Sequence, residues 1–119
     1  APYLQYTHAR ICSIKRKAKT EVKSQIDPGL LKTEIEYNLA KILAKFPEKV
    51  LKSVSIHKPH VIGTYLIDVG QTFNKFYDRC HIINEESDLR DARLLLAEST
   101  RIVINNGLAL LGIQSPSKM

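Results

Sequence analysis

The sequence predicts an all-α protein, a bundle of five helices forming one domain over residues 1–119, and three features carry that prediction. Apolar residues recur at steps of three and four rather than two. No hairpin dipeptide joins two alternating segments. Prolines fall at the edges of the periodic stretches, and 44% hydrophobic with 25% charged residues is the balance of a chain that buries one core without disulfides or metal.

Tyr3 to Lys17 sets Leu4, Ile11, Cys12 and Ile14 at helical spacing without internal Gly or Pro, and is the first predicted helix. Residues 18–29 are polar and finish in Asp27-Pro28-Gly29. That is a turn signature, because proline fixes φ and glycine admits φ > 0, so a loop free to move is expected here. Leu31, Ile35, Leu39, Ile42, Leu43 and Phe46 then form a stripe opposite Lys32, Glu34, Glu36 and Lys41, the mark of an amphipathic second helix. Pro47 can open a short third helix where a missing N–H costs nothing, with Val50, Leu51 and Val54 as its buried stripe.

After Pro59, the positions Val61, Ile62, Tyr65, Leu66, Val69, Phe73 and Phe76 predict a long fourth helix from His60 to about Cys80. Gly63 and Gly70 within it would let a neighbour approach closely. Asp88 is the predicted amino-terminal cap of the fifth helix. Leu89, Ala92, Leu95, Leu96, Ile102, Val103, Ile104, Leu108, Leu110 and Leu111 give that helix a largely buried character, and Gly112 is placed to stop it. Asn106-Gly107 lies inside this pattern, where it is tolerated or bends the helix.

Net charge is +6, and its distribution is uneven. Residues 1–60 hold 12 Lys+Arg against 5 Asp+Glu, whereas residues 61–119 hold 6 against 7. A positive field concentrated on one part of a surface attracts polyanions, so nucleic acid is the leading partner class. No apolar run approaches the roughly 18–20 residues of a membrane span, and Ala1-Pro2-Tyr3-Leu4-Gln5 lacks the basic-then-apolar order of a secretion signal. Cys12 and Cys80 belong to no C-x-x-C pair, which suits a reducing cytoplasm.

Catalytic chemistry finds little purchase. There is no phosphate-binding glycine loop, no H-E-x-x-H and no G-x-S-x-G, and His8, His57, His60 and His81 stand at no metal-ligand spacing. A hydrolase or nuclease is disfavoured for want of an acid-base pair or metal constellation. Binding fares better, because Tyr3, Tyr6, Thr7, Arg10, Ile14 and Lys17 lie within neighbouring helical steps. Rings of this kind stack on splayed RNA bases while cations hold base edges and phosphates. The plainer reading makes the same tyrosines rim packing and Arg10 a solvated charge. Tyr77 follows core-facing Phe76 directly and so points elsewhere, and Lys15-Arg16-Lys17-Ala18-Lys19 suits both a helix carboxyl terminus and phosphate.

Tyr3-Leu4-Gln5-Tyr6-Thr7-His8-Ala9-Arg10-Ile11-Cys12-Ser13-Ile14 resembles the "YxQYAHARicSI" opening of the anticodon-binding domain of arginyl-tRNA synthetases. Phe73-Asn74-Lys75-Phe76-Tyr77 resembles that family's "FNxFY" segment, and Ser115-Pro116-Ser117-Lys118-Met119 its terminal "aPerM". Arg90-Asp91-Ala92-Arg93-Leu94 and Leu108-Ala109-Leu110-Leu111-Gly112-Ile113 are similar to its last helix. The resemblance covers essentially the whole chain. It implies the five-helix anticodon-binding fold of class Ia aminoacyl-tRNA synthetases, as the carboxy-terminal part of a larger enzyme.

It further implies a cytoplasmic module that binds the anticodon stem-loop of an arginine transfer RNA, with no DNA or membrane partner, beside the catalytic domain of the same polypeptide. The central anticodon cytosine would be held by Tyr3, Arg10, Tyr77 and Met119, with Tyr6, His8, Asn74 and Lys17 in support. Thr7 stands where alanine is commoner in the family, a change expected to be harmless. No cofactor or metal is expected here; ATP belongs to the parent enzyme, whose "HIGH" and "KMSKS"-like signatures are absent from these residues, so catalysis is not expected of them alone. The rival from another class is a basic helical adaptor that binds a protein partner in an interhelical groove.

Overall fold

Five α-helices and one 3-10 turn make up the computed structural model, which describes residues 2–119; no strand occurs among them. Helix α1 spans Pro2–Ala18, α2 Glu34–Ala44, α3 Phe46–Ser55, α4 His60–Arg79 and α5 Ser87–Leu110, with the 3-10 turn at Pro28–Leu30. The predicted fold class and helix count hold.

The two longest helices, α4 and α5, form the spine, with α1 against both and α2 and α3 laid over α4. Their shared interior has two parts. Ile11, Ile14, Leu39, Phe73, Phe76, Cys80, Leu94 and Ala97 fill one end. Leu4, Ile62, Tyr65, Leu66, Val69, Val103, Ile104 and Leu108 fill the other. The matched positions show that α1 runs alongside α4 in the same sense and antiparallel to α5. Asn106-Gly107 is carried within α5, where Gly107 is buried directly against Leu66. Gly112 takes φ +75°, the left-handed conformation that ends a helix cheaply.

Several local expectations need correction. Gly70 does admit a neighbour, since an added Cβ would sit 3.0 Å from both Leu4 and Tyr3, but Gly63 faces open space. Helix α5 is capped by the Glu86 carboxylate, which accepts from Asp88 N at 3.3 Å, so Asp88 lies in the first turn instead of capping it. Leu51 and Val54 are 72% and 67% exposed, because the apolar side chains that seat α3 on the bundle are Phe46 and Val50. Val54 borders an open groove of about 420 Å³ shared with Ile62, Leu110 and Leu111. Ile102 and Leu110, on the outer face of α5, are also exposed. The loop after α1 is tied down twice: Val22 packs on the core, and Lys23 pairs with buried Asp91 at 3.3 Å.

One buried ion pair fixes the elements around the α4–α5 turn. Thr33 and Glu36 form a reciprocal capping box at the start of α2. The Glu36 carboxylate also accepts from Arg93 at 2.8 Å, and Arg93 donates onward to the His81 carbonyl at 2.6 Å. Burial pushes the Glu36 carboxyl up, yet hydrogen bonds from Arg93 and Thr33 outweigh it and hold the group below its ordinary value of 4.5. Ionised Glu36 therefore contributes stability that is complete above pH 4.5 and lost as pH falls through its lower folded value.

Glu36→Gln should accordingly flatten part of the loss of thermal stability below pH 4.5, and an unchanged pH profile would contradict the ion pair's role. An added Cβ at Gly107 would lie 2.6 Å from Leu66, so Gly107→Ala should destabilise by about 1–3 kcal/mol despite its better helix propensity. Gly63→Ala meets nothing and should stabilise by about 0.5–1 kcal/mol, and urea titration of the two variants checks both signs.

Candidate nucleic-acid interface

Because Leu4, Ile11 and Ile14 face inward, the helical period turns Tyr3, Arg10 and Lys17 toward the edge where α1 meets α4. The same period on α4 buries Phe73 and Phe76 and leaves Asn74 and Tyr77 at that seam. Asn74 joins the two helices. Its Oδ1 accepts from Arg10 Nη1 at 2.9 Å, and its Nδ2 donates to the Tyr3 hydroxyl at 2.8 Å and to Thr7 Oγ1 at 3.2 Å. A guanidinium has no acceptor, so the orientation of the amide is dictated by chemistry.

Held in this way, the Arg10 guanidinium lies over the Tyr77 ring, 4.7 Å from its centroid. The ring is backed by Phe73, with centroids 6.4 Å apart and planes 24° from parallel. Tyr3 and Tyr77 remain 42% and 41% exposed, so each ring keeps an accessible surface.

Arg10 and Ser13 line two open cavities. One, of about 590 Å³, continues past Tyr77, Ile14 and Lys17 to the α4–α5 turn at His81 and Asn84. The other, of about 530 Å³, is bounded by Tyr6, Ala9, Arg16 and the chain end at Lys118 and Met119. Four cationic side chains therefore surround the site, Arg10, Arg16, Lys17 and Lys118, against the one carboxylate side chain of Asp78. Among the described residues none of the four is paired with a carboxylate, whereas Lys15 and Arg101 share Glu98, Arg93 holds Glu36, and Lys23 and Arg90 hold Asp91. Part of the unneutralised positive charge therefore stands beside the rings, while lysines of α2 and α3 such as Lys41, Lys49 and Lys52 carry more of it elsewhere.

Tyr3, Arg10, Asn74 and Tyr77 are thus brought into one bonded group, and Met119, Tyr6 and Lys17 line cavities that share Arg10. His8 is not on this surface. It is 3% exposed, and its Nδ1 lies 2.9 Å from the Pro116 carbonyl, so it touches the chain's last segment. Burial pushes its pKa below the ordinary 6.5, which favours the neutral ring, and because a carbonyl oxygen only accepts, Nδ1–H is the donor. Thr7, by sequence a harmless exchange, takes part in the group: its hydroxyl donates to the Tyr3 carbonyl at 3.0 Å and accepts from Asn74. Arg16 of the basic run lines the site as well, and so does Ser13, which sequence does not single out although its i+3 spacing from Arg10 is a signal for it. No cluster of His, Cys, Asp or Glu able to hold a metal occurs among the described residues, and no helix is long and apolar enough to cross a membrane.

The family described as DALR anticodon binding domain matches residues 4–119. An arginine–tRNA ligase of Clostridioides difficile (strain 630) is 39% identical over 118 residues, covering 99% of this chain and 21% of its own length. One from Methanococcus aeolicus is 44% identical over 124 residues, covering 100% of this chain and 22% of its own length. The solved arginyl-tRNA synthetase of Thermus thermophilus superposes with a TM-score of 0.91 at 35% identity, over 99% of this chain and 21% of that one. The chain therefore spans about a fifth of the proteins it matches.

If the Arg10–Asn74 bond couples the helices, a double-mutant cycle of Arg10→Ala and Asn74→Ala in urea should give a coupling energy of about 0.5–1.5 kcal/mol. Strict additivity would show that the two side chains do not interact in solution.

Proposed function

The chain belongs to the DALR anticodon-binding domain family, and from that premise we propose that it receives the anticodon loop of an arginine transfer RNA, with the central cytosine drawn out of the stack. One observation carries this reading: a guanidinium fixed over a half-exposed tyrosine ring, ringed by cations that no carboxylate neutralises. The cations attract the loop phosphates and position them, without reading sequence. A flipped pyrimidine stacks on Tyr3 and meets the edge of Tyr77, Arg10 donates to cytosine O2 and N3, and the Met119 thioether closes adaptably on the ring face.

In this reading the chain is the carboxy-terminal anticodon-binding part of a cytoplasmic arginine–tRNA ligase. The rest of the polypeptide supplies the ATP and arginine sites, and it is this module's neighbour. Its relatives' names and their fivefold greater length support that assignment.

The rival, a basic adaptor for a protein partner, draws on the apolar groove beside Val54 and Leu110. Salt separates the two. Binding of a single-stranded loop through phosphates should weaken with a log–log slope of about −0.7 per phosphate neutralised, whereas an apolar groove barely responds.

Arg10→Ala and Tyr77→Ala should each weaken binding of an arginine anticodon stem-loop by about 1–3 kcal/mol with helical content unchanged. Titrations with the central cytosine present and replaced by uracil check this, and equal affinities for the two stem-loops would contradict the reading.

A further inference from the structure

The final residues, 113–119, form no helix or strand, and chain ends of this kind commonly fray. Here they are held by one face of α1. Gln5 Nε2 donates to the Gln114 carbonyl at 2.9 Å, and His8 Nδ1 donates to the Pro116 carbonyl at 2.9 Å. Arg16 reaches the Ser117 carbonyl through two longer contacts of 3.4 and 3.5 Å. At about 100° per residue, positions 5, 8 and 16 form one stripe, while Tyr3, Thr7 and Arg10 form another turned well away from it. Tyr6, Ala9 and Ser13 lie between the stripes, and they line the open cavity that Met119, itself 61% exposed, borders. Only Lys118 and Met119 follow the last of these contacts, a reach of at most about 7 Å.

Among these contacts the His8 bond is the buried one. A neutral imidazole there has a single N–H, and it is spent on the tail, while Nε2 is buried without a partner. Alternative tail positions would leave the buried Nδ1–H with only the Cys12 sulfur, a weak acceptor 3.8 Å away, which is the strongest local reason for the tail to stay.

We propose that His8 is a positioning residue: with Gln5 and Arg16 it latches the carboxy-terminal segment along α1 and thereby sets Met119 as a wall of the base-binding site. The consequence for RNA rests on the reading given under Proposed function; the latch itself does not.

Met119 is the chain's only methionine, so methyl-13C methionine labelling gives one resonance that reports the tail directly. His8→Leu removes the donor at similar volume, and His8→Asn keeps an amide N–H near the place of Nδ1. In the free protein, His8→Leu should move the methyl resonance to the narrow line and shift of a fully solvated methionine, and His8→Asn should restore most of the native shift. Stem-loop affinity should fall roughly three- to tenfold in His8→Leu, the size of one methionine contact, and should fall no further when His8→Leu is added to Met119→Ala. A native methyl resonance in His8→Leu overturns the latch. Additive losses in the Met119→Ala background overturn its action through Met119. If His8→Leu does not fold, Gln5→Leu is read by the same methyl line: a solvated shift supports the latch and a native one overturns it. If the wild-type chain binds no stem-loop, the functional reading fails while the methyl comparison still decides the latch.

Discussion

A single carboxamide governs the arrangement of the candidate site. Asn74 accepts from Arg10 and donates to Tyr3 and Thr7, so three side chains of α1 are registered against one residue of α4. Without that bond Arg10 would be an exposed side chain with ample rotamer freedom, and holding it over Tyr77 would cost conformational entropy at the moment of binding. With it, the cation is placed beforehand, and the seam itself is held tight by the close approach of Tyr3 and Leu4 to Gly70. The bundle supplies the rest of the rigidity, because Phe73 both fills the core and backs the Tyr77 ring.

Charge is organised on the same principle. Buried or half-buried carboxylates each take basic partners: Glu36 with Arg93, Glu98 with Lys15 and Arg101, Asp91 with Arg90 and Lys23. These pairs serve the fold and leave little net field. The cations around Arg10 have no such partners, so part of the positive surplus is expressed where the rings are exposed. Long-range attraction and short-range recognition therefore converge on one face, which is the division of labour expected of an RNA-binding surface.

Helical periodicity makes most of the fold legible, because α1, α2 and α4 each present an inward stripe broken only where a turn residue stands. Periodicity reports that a face is apolar, not that a neighbour covers it, and so it places Leu51 and Val54 in a core that α3 does not reach. The capping box at Thr33 and Glu36 has the local signature T-x-x-E, which a search for apolar stripes does not detect, whereas the Glu86 cap of α5 follows no common cap preference. The site is legible through motif resemblance more than through spacing. Asn74 lies 64 residues from Arg10 and 71 from Tyr3, separations at which no local pattern speaks. The tail contacts span more than 100 residues, and nothing local distinguishes a histidine that grips a backbone carbonyl from one that meets RNA.

What matters most for function is whether one unstacked pyrimidine is held beside Arg10 and Tyr77. The most direct measurement is 19F NMR of arginine anticodon stem-loops carrying 5-fluorocytosine at the central anticodon position or, separately, a fluorinated pyrimidine at a flanking one. A base held in this way gives a large bound-state shift confined to the central position and abolished by Arg10→Ala. Equal shifts at central and flanking positions, or a central shift that survives Arg10→Ala, would contradict it.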